Sequence, residues 1–107
     1  MQVTDNIVVL VTTSNEESQK IADLLLNRRK AACVNIVPNV NSIFWWKGKI
    51  DSSHESLLII KTKMSLLPDI VGLVKASHSY KIPEIIAVPI IGGSEDYLRW
   101  LNDEVKD

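Results

Sequence analysis

The sequence predicts a single α+β domain in which helices pack on an antiparallel sheet. Three observations lead there. β-Branched aliphatics are abundant, with thirteen Ile and eleven Val, and such side chains fit a pleated, half-buried surface. Short apolar runs alternate with amphipathic stretches of helical period. A length of 107 residues with 46% hydrophobic content supplies one core and leaves no room for two. Residues 1–107 therefore read as one domain.

The elements follow in order. Asn6–Thr13 is apolar on consecutive positions, as in a strand buried on both faces. Ser14 with Glu17 three residues later forms a capping box, opening an amphipathic helix over residues 15–29. Ile21, Leu24, Leu25 and Arg28 share its inner face. The basic run Arg28, Arg29, Lys30 ends the helix, where the dipole favours cations. Residues 31–47 form a long strand interrupted near Pro38 and Asn39. Lys47 and Gly48 make a turn, and residues 49–62 return as a second strand. Ser65 caps a second helix with Pro68 in its first turn, where a missing N–H is tolerated. Leu67, Ile70, Val71 and Val74 are its buried stripe. Residues 83–91 form the last strand. Ser94 caps a short final helix with Tyr97, Leu101 and Val105 on one face and Trp100 beside them.

The order β-α-β-β-α-β-α is the split-βαβ, or ferredoxin-like, arrangement with an added C-terminal helix. Pro38 and Pro89 place the second and fourth strands at the sheet edges, because proline cannot donate to a central ladder. The first and third strands are then central. Their apolar residues alternate onto both faces, while two helices cover only one. The edge residues Ile43, Phe44, Trp45 and Trp46 add to the surplus. Burying even ~500 Å² of such surface contributes on the order of 12 kcal/mol before association costs. The chain is expected to form an obligate oligomer, with Phe44, Trp45 and Trp46 at the interface.

Charge and composition exclude several function classes. Twelve Lys and Arg against thirteen Asp and Glu give a net charge of −1, without the basic surplus of a nucleic-acid module. One cysteine permits no intrachain disulfide. No leader pattern or run of membrane-spanning length is evident, so a cytoplasmic protein with no membrane partner is expected. Cys33, among Ala31, Ala32 and Val34, reads as a buried structural cysteine. No zinc motif, phosphate loop or nucleophile–base pair is present, and no enzyme is expected. His78, in a polar loop with Tyr80 and Glu84, is either a metal ligand or a cap on the preceding helix. His54 reads as exposed.

Several segments together carry a resemblance. They are Ala31-Ala32-Cys33-Val34-Asn35-Ile36-Val37-Pro38, Trp46-Lys47-Gly48-Lys49-Ile50 with Glu55, and Lys61-Thr62. After them come His78-Ser79-Tyr80 with Pro83-Glu84-Ile85, and Tyr97-Leu98-Arg99-Trp100-Leu101. In this order and spacing the chain resembles the CutA divalent-cation tolerance family. The resemblance implies a homotrimer related in architecture to the P-II regulators and a role in response to metal ions. Divalent ions such as copper or zinc would be the ligands, and no cofactor is required. It places His78 and Glu84 as metal candidates and Glu55, Lys61 and Tyr80 in a cleft near a subunit boundary. Where some members carry a first-strand cysteine, this chain has Val11, which removes the softest ligand. The alternatives are a P-II-like module binding a small anion at the subunit interface, and a scaffold without a ligand.

Overall fold

The structure, a computed structural model, describes residues 5–106. Along them run β1 (Asn6–Thr13), α1 (Ser18–Asn27), β2 (Cys33–Trp46), β3 (Lys49–Lys63), α2 (Leu67–Ser77), β4 (Ile85–Pro89) and α3 (Glu95–Glu104). The sheet order is β2-β3-β1-β4 and every pair is antiparallel. The expected central pair is thus β1 and β3. Pro38 falls where the β2–β3 register shifts between Val37 and Val40, and Pro89 ends the opposite edge.

The core lies on one face. Val9 stands opposite Ile60 and Val11 opposite Leu58. Ile21 and Leu25 of α1, with Ile70 and Val74 of α2, pack onto that layer, and all are at most 1% exposed. Three details differ from expectation. Arg28 is exposed, and the buried face of α1 is Ser18, Ile21, Ala22 and Leu25. Ser65 lies within a 3-10 turn, Met64–Leu66, so Leu66 occupies the cap position of α2. In α3 the buried residues are Leu98 and Leu101, while Tyr97 and Trp100 lie exposed beside each other at 5.4 Å.

The Ser14–Glu17 pair does form. The Ser14 hydroxyl accepts from the Glu17 N–H at 3.3 Å and donates to its carboxylate at 2.9 Å. A hydrogen-bonded turn intervenes, so α1 itself begins at Ser18. At the other end Arg29 takes φ +59°. Its N–H bonds the Leu26 carbonyl and the Lys30 N–H bonds that of Leu25, the two bonds of a Schellman close. The basic run has specific partners. Arg29 pairs with Glu104 at 2.8 Å and Lys30 with Asp69 at 2.9 Å, tying the end of α1 to both other helices.

The second sheet face is only partly covered. Val8, Leu10, Leu57 and Ile59 are half-buried, while Val37, Ile86 and Val88 are exposed. Tyr97 of α3 reaches Cys33, which stands opposite Lys61 on this face. Cys33 is therefore half-buried against a phenol and does not sit in the apolar core. The β2–β3 hairpin continues outward and gives the molecule a long axis of 45 Å against 25 and 22 Å. Its turn has φ +51° at Lys47 and +77° at Gly48, the two left-handed positions of a type I′ turn, which matches strand twist.

Candidate functional site

Period-two alternation sets up the site. Ser42 stands opposite Ser53, Phe44 opposite Asp51, and Val40 opposite Glu55, so these side chains share one side of the hairpin. The segment 78–84 returns across that side. Between them lies a cleft of about 650 Å³ lined by Phe44, Trp46, Asp51, Glu55, Tyr80 and Glu84, with Ser53, Thr12, Lys81 and Ile82. Glu55 is only 4% exposed, while its neighbour His54 is exposed as expected.

The Tyr80 hydroxyl faces the Glu55 carboxylate and Ser53. Burial pushes its phenol above the ordinary value; the Ser53 bond opposes that rise, and the bond and charge of Glu55 add to it. Tyr80 is held from below. Its backbone N–H donates to His78 Nδ1 at 3.0 Å, and the two rings lie 4.5 Å apart. Since that N–H can only donate, Nδ1 accepts and Nε2 carries the proton given to the Thr12 carbonyl at 2.7 Å. Ser79 is anchored in turn, donating to Glu17 through its hydroxyl at 2.8 Å and its N–H at 3.1 Å. Desolvation raises the Glu17 carboxyl, but the Ser79 and Ser14 hydroxyls and the Ser79 N–H together hold it below the usual value.

The structure thus gathers Glu55, Tyr80, Glu84, Phe44 and Trp46 around one cleft. Trp45 points to the other side of β2 and is 72% exposed. Lys61 is not in the cleft; it stands opposite Cys33 and donates to Asn35. His78 lies beneath Tyr80 with both nitrogens engaged, and its ring bonds β1, not the α2 carbonyls. Among the described residues no three His, Cys, Asp or Glu side chains converge on a point that could hold a metal ion. One chain in this arrangement therefore does not present a closed ligand set. Asp51, Ser53 and Lys81 were missed from sequence, although the alternation that places Glu55 beside Phe44 also places Asp51 and Ser53. Glu17 was legible only as a cap.

Comparison with known proteins places this geometry in a family. The model of the CutA1 divalent ion tolerance protein matches residues 7–104. The chain is 48% identical over 103 residues to the chloroplastic protein CutA 1 of Oryza sativa subsp. japonica, covering 95% of this chain and 58% of that one. The chain thus spans little more than half the length of that plant relative. It is 45% identical over 97 residues to the divalent-cation tolerance protein CutA of Thermus thermophilus, covering 90% of this chain and 94% of that one. The crystal structure of CutA1 from Oryza sativa superposes with a TM-score of 0.93 at 44% identity, covering 99% of each chain. The chain is a member of the CutA1 divalent ion tolerance family.

Proposed function

We propose that the protein is a divalent-cation tolerance protein that works as a homotrimer and binds divalent metal ions such as copper. The observation that carries the reading is the cleft. It sets Asp51, Glu55 and Glu84 against the single cation Lys81, beside a hairpin and a sheet face whose exposed apolar residues call for another copy. Oxygen ligands of this kind accept divalent ions. Since one chain offers no three-ligand cluster among its described residues, a metal site is completed where copies meet. Glu84, exposed at the cleft mouth, is the residue best placed to contribute. His78 takes part only by giving up its bond to Thr12 or to Tyr80. An anionic metabolite suits the cleft less well, because Lys61 stands away from it and three carboxylates remain. The lone Cys33 favours a reducing compartment, and the cytoplasm is the proposed location.

Calorimetric titration with Cu²⁺ and Zn²⁺ tests the metal reading. Glu84→Gln is expected to weaken binding by about tenfold. Identical isotherms for wild type, Glu84→Gln and His78→Ala would remove both residues from the site, and no binding by the wild type would remove the metal.

A further inference from the structure

Asn15 lies in the turn between β1 and α1, and its carboxamide oxygen receives two hydrogen bonds. One comes from the hydroxyl of Ser56 on β3 at 2.6 Å, the other from the backbone N–H of Asn39 on β2 at 3.3 Å. Both donors sit at one irregularity. Val37 stands opposite Leu57 and Val40 opposite Glu55, so Pro38 and Asn39 together oppose Ser56. Two residues against one make a β-bulge. Asn39 takes φ +61° there, a region that asparagine tolerates better than most side chains. A single oxygen thus spans both strands at the point where their pairing changes.

The bulge decides which side chains the outer hairpin presents. Before it, Asn35 and Val37 share a side with Ile59 and Leu57; after it, Ser42 and Phe44 share that side with Ser53 and Asp51. Odd positions of β2 give way to even ones. Without the extra residue the earlier pairing would continue, setting Asn41 opposite Ser53, Ile43 opposite Asp51 and Trp45 opposite Lys49. Phe44 and Trp46 would then turn to the other side, because a one-residue slip exchanges the faces. That slipped hairpin is chemically accessible. Residues 46–48 would form a three-residue loop with Gly48 at its third position, where such loops need a left-handed residue. Hydrophobic pattern does not reject it, since Ile43 and Trp45 are as apolar as Phe44 and Trp46, whether or not another copy packs on them. We infer that Asn15 is a positioning residue that locks the register of the outer hairpin and so sets which aromatic side chains border Glu55 and Tyr80. Two residues along the same turn, Glu17 holds Ser79, so one turn anchors both the hairpin and the 78–84 segment. The inference concerns register and rests on neither the metal nor the trimer reading.

Cross-strand nuclear Overhauser contacts in the isotope-labelled intact protein read the register directly. Wild type is expected to link Ser42 with Ser53 and Phe44 with Asp51. Asn15→Ala removes the acceptor and is expected to raise the slipped share about tenfold, with Asn41 linked to Ser53 and Ile43 to Asp51. Asn15→Asp keeps an acceptor oxygen and is expected to show the wild-type set. Deletion of Asn39 leaves Pro38 alone opposite Ser56, so the outer pairing persists without a bulge. In that background Asn15→Ala is expected to leave the register unchanged. Should Asn15→Ala fail to fold by circular dichroism, Ser56→Ala, which removes one of the two donors, carries the same expectation at smaller amplitude. The inference is overturned if the variant that folds keeps the wild-type contacts alone and merely loses stability. It is equally overturned if Asn15→Asp slips as alanine does, or if the deletion background slips on Asn15→Ala as the intact chain does.

Discussion

Glu17 shows how one side chain can serve both a helix start and a distant loop. Its carboxylate receives Ser14 at the entry to α1 and Ser79 from the segment beside the cleft. Those bonds favour the charged form, so its folded value lies below the ordinary 4.5. The sign follows from linkage. A depressed carboxyl contributes stability that is fully present above the unfolded value and is lost as pH falls through the folded one. Glu17→Gln is therefore expected to cost about 1–2 kcal/mol near neutrality and to flatten the loss of stability in acid. Urea denaturation at about pH 7 and about pH 3 checks both parts; equal destabilisation at the two values would mean the charge is not what matters. His78 belongs at this scale too. The sequence marks it as a polar residue after a helix, but its two bonds go to Thr12 and Tyr80. The Thr12 bond spans 66 positions of chain, which no local pattern can reveal.

At the scale of elements, the hairpin joins fold to site. Its turn requires left-handed backbone at two successive residues, yet only the second is glycine. Lysine at the first position carries a conformational cost that asparagine would lessen. Lys47→Asn is expected to raise stability by about 0.5–1 kcal/mol, and Lys47→Val to lower it by about 1–2 kcal/mol, since β-branched residues fit that region worst. Thermal unfolding of the two variants reads the difference, and no separation between them would argue against the type I′ turn. The turn, both strands and the irregularity at Pro38 were all legible in sequence, because turn chemistry and period-two alternation are local. The final helix was less legible. Tyr97 and Trp100 look like core residues by type, but Leu98 and Leu101 are the pair that is buried. Helical period alone leaves the phase of such a short helix open, and packing decides it.

For the whole molecule, the exposed apolar surface sets the expectation. Ile43 and Trp45 are 68% and 72% exposed, and Ile86 and Val88 stand open on the second sheet face. Light scattering at micromolar protein is expected to give the mass of three 12.0 kDa chains. Trp45→Lys, which places a charge on that surface, is expected to shift the population toward monomer. A wild-type monomer would end the trimer reading and any site completed by a second copy. The sequence by itself determined the element order, the central and edge strands, the apolar surplus and the family, because each is carried by local period, proline chemistry or ordered motifs. The tertiary structure decided which polar residues meet. It gathered Asp51, Glu55, Tyr80 and Glu84 around one cleft, left Lys61 on the other part of the sheet, and engaged both nitrogens of His78. The physical reason is that alternation fixes the side of a strand on which a residue lies, while the neighbour it finds there depends on how the hairpin and the 78–84 segment fold back over each other.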